Sequence, residues 1–296
     1  DNALLETNVG KAVVAAISLQ KPARNKGTDT SNVIHPAMNI EIDLGLDSLA
    51  RAETFAALEQ AFSTGFDADE AATALTVANV IELVNKHGGE KSENISIELN
   101  WGKIVRDADD DFPEVRSVRR NRPFFSVFAW SFFKIFNLFC KIFMRLEVRG
   151  TEYLSVGTQA ASLPVIRGQA ERVPAFLICP NHQSFLDPFV LCSTYPYYLI
   201  KNSFHVGASE FFDNSITRSI AKMLNVVPVN PDTELMRAIK AGAIGLKHGK
   251  VLNIYPEGER AFDGELHTFK KGAAILATEL DLPIVPVAID GLYKVW

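Results

Sequence analysis

Cysteine is scarce in this chain, and its spacing shows no pairing. The 296 residues include three cysteines, Cys140, Cys179 and Cys192, all in apolar surroundings. This excludes the disulfide framework of a small secreted domain and favours a reduced, cytosolic setting. The six histidines lack the spacing of metal ligands, and no glycine-rich nucleotide loop precedes a helix. We therefore expect neither a metal site nor a nucleotide site.

A strongly basic region is also missing, so nucleic acid is not an expected partner. The formal net charge is −5, but it is unevenly distributed. Residues 1–100 contain 7 Lys and Arg against 15 Asp and Glu, whereas residues 101–296 contain 23 against 20. An acidic first part and a mildly basic second part indicate two units that attract each other.

The first part has the periodicity of a small helical unit. Residues 5–20 place apolar side chains on one face, and residues 76–86 form a short closing helix. Between them, Asp47 or Ser48 caps a helix whose apolar positions are Leu49, Phe55, Leu58 and Phe62.

The string Asp43–Leu49 (DLGLDSL), followed by an acidic amphipathic helix, resembles the acyl carrier protein family. The resemblance covers residues 3–88 and implies a four-helix carrier domain over residues 1–90. It also implies that Ser48 carries covalent 4′-phosphopantetheine, which a phosphopantetheinyl transferase attaches. The alternative is that Ser48 is only the N-cap of its helix, because Asp-Ser-Leu is a common tripeptide.

Residues 91–123 are predicted to form a charged linker, because opposite charge blocks and two prolines argue against a packed core. Four arginines near its end either contact anionic headgroups or the acidic carrier, or are simply solvated. They are Arg116, Arg119, Arg120 and Arg122.

Residues 124–144 form the most apolar stretch and are rich in phenylalanine. Their length approaches that of a membrane span, but Lys134 and Lys141 interrupt the run. Together with the preceding arginines, this favours an amphipathic helix at the bilayer interface, anchored peripherally at the cytoplasmic face of the membrane. The alternative is a buried core helix.

From residue 176 onward, strand-like and helical segments alternate. This alternation predicts an α/β domain with a largely parallel sheet, whose sites gather at the carboxyl ends of strands. The predicted strands are Phe176–Cys179, Tyr197–Ile200, Val226–Val229, Val251–Tyr255 and Ile284–Ile289. The predicted helices span about 188–195, 208–224, 233–248 and 270–280.

His182 and Asp187 follow the first predicted strand, within Phe176–Pro188 (FLICPNHQSFLDP). Five positions apart on one helix, their side chains would diverge by roughly 140°, so they meet only across a turn. There the carboxylate would fix the imidazole tautomer and make His182 a candidate general base for a hydroxyl nucleophile. The alternative is a loop histidine beside a helix capped by Asp187.

Two further strand ends carry marked residues. Pro256–Arg260 (PEGER) follows the fourth predicted strand, and there Glu257 and Arg260 bracket Gly258. Arg260 suits a phosphate, because its planar guanidinium matches the phosphate oxygens. Pro286 lies in the last predicted strand.

The segments NHQSFLD, YPEGER and VPVAIDG, in this order, resemble the glycerolipid acyltransferase family, specifically the 1-acylglycerol-3-phosphate acyltransferase group. The resemblance covers roughly residues 124–296. It implies that His182 is the general base for the acceptor hydroxyl and that Asp187 orients it. It also implies that the acceptor, a phosphorylated glycerol, is bound by Glu257, Gly258, Arg260 and Pro286.

Two departures from the family pattern weaken phosphate recognition. Glu259 stands where the family usually has threonine, which places a negative charge beside any bound phosphate. Asn230 and Pro231 stand where many members have an arginine. The acceptor is therefore expected to include other lysolipids or hydroxylated amphiphiles.

Together these features predict acyl transfer from a thioester, carrier-bound or on CoA, to a hydroxyl of a lysophospholipid or glycerol-phosphate-type acceptor in phospholipid synthesis. The alternative is an acyl-carrier and membrane-docking module that presents acyl chains to another enzyme. The chain starts without methionine or a signal peptide, so we expect a piece of a longer polypeptide, whose acyltransferase domain (124–296) can be truncated. An acyl-activating ligase would be a logical neighbour.

Overall fold

The structure is a computed structural model that describes residues 2–20, 33–87, 100–108, 115–116, 118, 123–155, 175–208, 215–229 and 235–294. It divides into two compact units. The first comprises Asp1–Asn100 and Pro231–Met236, and the second comprises Trp101–Asn230 and Arg237–Trp296. Three of the predicted headgroup-binding arginines (Arg119, Arg120 and Arg122) and the Asn230-Pro231 departure lie outside the described residues.

The described part of the first unit is helical. A 3₁₀ turn, Asn2–Leu4, precedes the helices α1 (Asn8–Gln20), α2 (Ser48–Phe62), α3 (Ala68–Thr73) and α4 (Val77–His87). Their apolar faces meet in one core, since apolar residues at helical spacing lie on one side of each helix. Fully buried members include Val13, Ile17, Leu58, Val80 and Val84. The predicted helical N-terminal region is confirmed.

Asp47 sets the beginning of α2. Its backbone is extended, and its Oδ1 accepts the N–H of Ala50 at 2.7 Å, which is the geometry of an N-cap. Ser48 is the first helical residue. The alternative in which Ser48 is only the N-cap is therefore wrong.

The second unit begins with helices that precede its sheet. They are α5 (Trp101–Arg106), α6 (Pro123–Phe143) and the 3₁₀ turn Thr151–Ser155. The sheet region then runs β1 (Leu177–Pro180), α7 (Asp187–Thr194), α8 (Tyr197–Asn202), β2 (Ser203–Ala208), α9 (Ser215–Leu224), β3 (Val226–Val229), α10 (Leu235–Lys247), β4 (Val251–Asn253), α11 (Gly272–Leu280) and β5 (Ile284–Val287).

The five described strands form one sheet in the order β3-β2-β4-β1-β5, and every pair is parallel. In the register, Leu177 of β1 faces Leu252 of β4 on one side and Ile284 of β5 on the other. The loops that follow these three neighbouring strands therefore emerge at the same edge of the sheet. The predicted α/β class with a parallel sheet is confirmed.

Two segments differ from their sequence predictions. Tyr197–Ile200 was expected to be a strand but begins helix α8, because Pro196 supplies an extended cap and the strand starts only at Ser203. Within the predicted linker, where no packed core was expected, Trp101–Arg106 forms helix α5. Val105 is fully buried there, and the guanidinium of Arg106 lies 3.4 Å from the carboxylate of Glu279 on α11.

Helix α6 has two apolar faces with different surroundings. One face packs on α7 and α8 through the buried side chains of Ala129 and Phe133, and Cys140 is buried in an adjoining cluster. The other face is exposed and carries Phe124, Val127, Phe128, Ile135, Leu138, Ile142 and Phe143. By length and composition, α6 is the one helix among the described residues that is able to cross a membrane.

Candidate active site

The turn after β1 brings His182 and Asp187 into direct contact. The Nδ1 atom of His182 lies 2.7 Å from Oδ2 of Asp187. The carboxylate is fully buried, whereas one fifth of the imidazole surface remains exposed. Because a carboxylate oxygen accepts a proton donor, the contact fixes the tautomer that carries hydrogen on Nδ1. The Nε2 atom is then left as the basic nitrogen.

Asp187 is held by the turn and does not cap helix α7. Its Oδ2 also accepts the backbone N–H groups of Gln183 at 2.6 Å and Ser184 at 2.8 Å. The helix begins at Asp187 itself, with Leu186 as the cap residue and Pro188 in the first turn. The expected N-cap role is therefore wrong, because the carboxylate turns back toward the loop that carries His182.

Tyr255 forms one wall of the imidazole site. Its ring stacks on His182, with centroids 4.1 Å apart and an angle of 26° between the planes. Burial and the negative charge of Asp187 raise the pKa of the Tyr255 phenol well above its ordinary value, so it stays neutral. Sequence reasoning missed this residue, although an aromatic side chain directly after a strand and before Pro256 was a signal.

Glu257 lies beneath the same turn and is almost fully buried. One carboxylate oxygen accepts the backbone N–H of His182 at 2.8 Å, and the other accepts the N–H of His267 at 3.0 Å. Both oxygens are thus engaged by the protein backbone. The prediction that Glu257 binds the acceptor does not fit this geometry; the residue ties two loops together.

Gly258 and Arg260 complete the turn. Gly258 has φ +76°, a left-handed backbone conformation that favours glycine. The Arg260 guanidinium carbon lies 3.6 Å from the ring centre of Phe185 and 4.8 Å from that of Phe262. Such stacking leaves the N–H edge of the guanidinium able to meet an anion.

The structure does not place Pro286 at the end of its strand. It pairs with Cys179 inside β5, an edge strand, where the missing N–H of proline is tolerated. Asn181 connects the turn after β1 to the segment that follows β5. Its side chain donates to the carbonyl of Ile289 at 2.9 Å and accepts the N–H of Ile289 at 2.6 Å. Asn181 belongs to the motif NHQSFLD, which by itself predicts no role for this residue.

Within the described ranges, no cluster of His, Cys, Asp and Glu has the arrangement of a metal site. The turn carries one imidazole with an engaged carboxylate, next to a stacked guanidinium. At the carboxyl edge of a parallel sheet, this set is suited to removing a proton from a hydroxyl and to holding an anionic group. The second unit thus carries this residue set at the carboxyl edge of the parallel sheet of an α/β fold.

The two family comparisons agree with this description. Residues 145–290 match the acyltransferase family, and residues 27–84 match the phosphopantetheine attachment site. The chain therefore contains an acyltransferase domain and a domain of the phosphopantetheine-attachment family, as the resemblances in the sequence predicted.

Among curated proteins, a chloroplastic 1-acyl-sn-glycerol-3-phosphate acyltransferase of Arabidopsis thaliana is 33% identical over 39% of this chain and 32% of its own length. The enzyme of the same name from Bacillus subtilis is 29% identical over 41% of this chain and 60% of its own. The chain thus spans less than two thirds of these relatives. A crystallised 1-acyl-sn-glycerophosphate acyltransferase of Thermotoga maritima matches 62% of this chain and 78% of its own, with 20% identity and a TM-score of 0.33.

Proposed function

We propose that the chain is an O-acyltransferase that acylates a hydroxyl of a lysophospholipid or glycerol-phosphate-type acceptor in phospholipid synthesis. The observation that carries this proposal is the 2.7 Å contact between His182 Nδ1 and Asp187 Oδ2. It supports His182 as general base, because Asp187 stabilises the imidazolium that forms when Nε2 takes a proton.

The reaction has one bond formed and one broken. His182 Nε2 removes the proton of the acceptor hydroxyl, whose oxygen attacks the carbonyl carbon of the acyl thioester. The new C–O ester bond forms as the C–S bond breaks, and the imidazolium returns its proton to the leaving thiolate. The charges of base and thiol are thereby restored.

Arg260 is proposed to bind the phosphate of the acceptor. The two curated relatives are 1-acyl-sn-glycerol-3-phosphate acyltransferases, and a stacked guanidinium suits the phosphate of such an acceptor. The exposed Glu259 beside it opposes a doubly charged phosphate. Gly258 is proposed to keep the turn open to the acceptor, whereas Glu257 positions the His182 backbone and does not touch the acceptor.

Ser48 is proposed to hold covalent 4′-phosphopantetheine, added by a phosphopantetheinyl transferase. The site fits the group: Asp47 already caps α2, and the N-terminal end of a helix favours a phosphodiester anion. When bound, this cofactor supplies a thiol for an acyl thioester. Tethering would hold the donor at an effective concentration of order mM. An acyl-activating ligase is the class of enzyme that would load it.

Helix α6 is proposed to anchor the acyltransferase domain peripherally on the cytoplasmic face of a membrane. Its exposed apolar face supports this location, because such a face is buried at the headgroup boundary in interfacial helices. The Lys134 ammonium instead donates to the carbonyl of Ser193 on α7, so this charge lies on the protein side. The domain limits 1–90 and 124–296 belong to the same proposal.

The first experiment measures intact mass after co-expression with a phosphopantetheinyl transferase. We expect the mass of one phosphopantetheine to be gained by the native chain and by Ser63→Ala, a control at the other end of α2. Ser48→Ala should gain nothing. Modification of Ser48→Ala, or none of the native chain, would overturn the carrier assignment.

The second experiment compares donors with a panel of lysolipids. The native protein should transfer acyl groups from its own loaded carrier, and Ser48→Ala should lose this activity. If Ser48→Ala keeps full activity with acyl-CoA, the acyltransferase domain also accepts a free donor. Transfer by His182→Ala at the native rate with either donor would contradict the general-base proposal.

A further inference from the structure

Four apolar side chains around the candidate site are left uncovered by the fold. Phe262 is 77% exposed, Leu266 65% and Phe269 55%, and Phe185 on the β1 loop is also exposed. We call these four residues the rim. A cluster of large exposed apolar side chains marks a surface that is covered when the protein works.

The rim is attached directly to the turn that carries His182. The backbone N–H of Ala261 donates to the carbonyl of His182 at 2.8 Å. Arg260 stacks between two rim residues, Phe185 and Phe262. Whatever covers the rim therefore also lies over the entrance to the imidazole.

The charges near the rim suit phospholipid headgroups. In the part of the chain that the structure describes, no carboxylate lies within salt-bridge distance of Arg260 or Lys270. Over residues 259–271, three acidic residues balance three basic ones, and Asp263 is paired with His267 at 3.1 Å. The net charge of this segment is therefore close to zero, so the apolar side chains supply most of the attraction, while the cations of Arg260 and Lys270 are left to meet the phosphates. A bilayer offers both an apolar layer and phosphates at its edge.

The rim and helix α6 are connected through one segment. The ring of Tyr293 packs on the backbone of Gly264, where a Cβ would lie 2.9 Å from the ring. The neighbouring Leu292 is buried in a cluster with Cys140 of α6 and Val190. The rim and the apolar helix thus belong to one connected part of the second unit.

We propose that the rim is a second lipid-contacting surface, which inserts into the same bilayer face as α6. The inference rests on the proposed function, since it assumes an amphiphilic acceptor. With the rim in the lipid, the acceptor keeps its acyl chain in the membrane while its hydroxyl reaches His182. Arg260 then lies at the depth of the phosphates.

The test places a fluorophore at single positions of the full chain. Leu266→Cys is labelled with an environment-sensitive dye and mixed with phosphatidylcholine vesicles, with and without anionic lipid. Ile135→Cys on α6 is the second probe. Ile284→Cys is the matched control, because Ile284 is also exposed and apolar but begins β5 at the opposite edge of the sheet.

The native thiols should contribute little background. Cys140 and Cys192 are buried, and burial raises the pKa of the half-buried Cys179 to about 11. A raised pKa leaves little thiolate, which is the reactive form. The unsubstituted chain, treated with the same dye, measures what remains.

We expect vesicles to raise the emission severalfold and shift it to the blue at positions 266 and 135, and to leave position 284 unchanged. Spin-labelled lipid should quench the first two. A response at 135 with none at 266 would overturn the inference while membrane anchoring by α6 stands. If the dye emission at position 266 changes when unlabelled protein is added without vesicles, the rim contacts a second copy of the chain. That result would also overturn the inference. No response at 266 or 135 would overturn the inference and the membrane anchor, while acyl transfer is measured separately.

A kinetic comparison separates lipid contact from folding. Leu266→Ser should lower vesicle partitioning about tenfold, because the substitution removes a large apolar side chain from the surface that contacts the lipid. It should raise KM for a lysolipid embedded in vesicles and leave KM for a short-chain monomeric acceptor unchanged. Equal effects on both acceptors, or none on either, would contradict the proposal.

Discussion

The two units support their key residues in different ways. In the first unit, the beginning of α2 is defined by its immediate neighbours: Asp47 precedes Ser48, and its carboxylate reaches only as far as Ala50. In the second unit, the backbone N–H of His182 donates to the carboxylate of Glu257, which is 75 positions away, and the ring of Tyr255 stacks on the imidazole.

This difference follows from what each residue has to do. A serine that accepts a flexible arm needs an accessible backbone position, which a short local motif provides. An imidazole that removes a proton needs a fixed distance and direction, and these come from several buried groups. The first kind of site is therefore defined by residues that are adjacent in the sequence, whereas the second kind depends on the whole fold. Five predictions sharpen the comparison.

The largest effect is expected for His182→Ala. Acyl transfer should fall about 10³-fold, because general base catalysis is worth about 10²–10⁴. The same variant should accept phosphopantetheine at Ser48 normally, as measured by intact mass. A loss of modification in His182→Ala would show that the two sites are not independent.

Acidic pH should destabilise the second unit through His205. Its Nδ1 donates to the carbonyl of Leu224, and burial lowers its pKa from 6.5 to about 4. The unfolded chain then binds more protons between pH 6.5 and 4, so stability is full above this window and falls through it. The loss reaches about 3 kcal/mol at 1.36 kcal/mol per pKa unit.

The measurement is urea unfolding at pH 7.5 and 5 followed by tryptophan fluorescence. All three tryptophans, Trp101, Trp130 and Trp296, belong to the second unit, so the signal reports that unit. His205→Asn keeps a donor toward Leu224 and should show a smaller pH dependence. An unchanged pH dependence in this variant would assign it to other groups.

Glu257→Gln should destabilise the second unit by about 1–3 kcal/mol, because a buried amide NH₂ would face a backbone N–H. Its kcat should fall with acceptor KM little changed, since the residue acts through the His182 backbone. Glu259→Gln is the matched control: it lies two positions away and is exposed, and it should leave stability unchanged. A raised acceptor KM in Glu257→Gln would restore the predicted substrate contact.

Tyr255→Leu should lower kcat about fivefold, since ring stacking is worth about 0.5–1.5 kcal/mol. Tyr255→Phe keeps the stacked ring and should keep most of the activity. The comparison needs only acyl-transfer rates at saturating acceptor. Equal losses in both variants would assign the role to the hydroxyl.

The smallest effect is expected in the first unit. Asp47→Ala removes the N-cap of α2 and should cost about 1 kcal/mol. The first unit has no tryptophan, so far-UV circular dichroism is used to follow its unfolding. Phosphopantetheine should still be attached to Ser48. A complete loss of modification would mean that the local cap also serves the modifying enzyme.

Much of this architecture could be predicted from the sequence. The alternation of short apolar runs with longer helical segments was enough to predict the parallel sheet. Tyr197–Ile200 was mistaken for a strand because a short apolar run has no distinct period, and the capping Pro196 decided the outcome. The packed helix Trp101–Arg106 was hidden by the charged residues around it.

Site prediction reached the residues but not their contacts. The turn geometry of Asp187 was deduced from five-residue spacing, which is a local property. The partners of Glu257 could not be deduced in this way, because no local pattern indicates a hydrogen bond to His182, which lies in the turn after the neighbouring strand β1. Tyr255 was overlooked for the same reason: stacking depends on the adjacency of β1 and β4.

The single carboxylate of Glu257 has a mechanical consequence. Its two oxygens accept the backbone N–H of His182 and that of His267, which lies in the chain segment between the rim residues Leu266 and Phe269. A movement of that segment therefore pulls on the loop that holds the base.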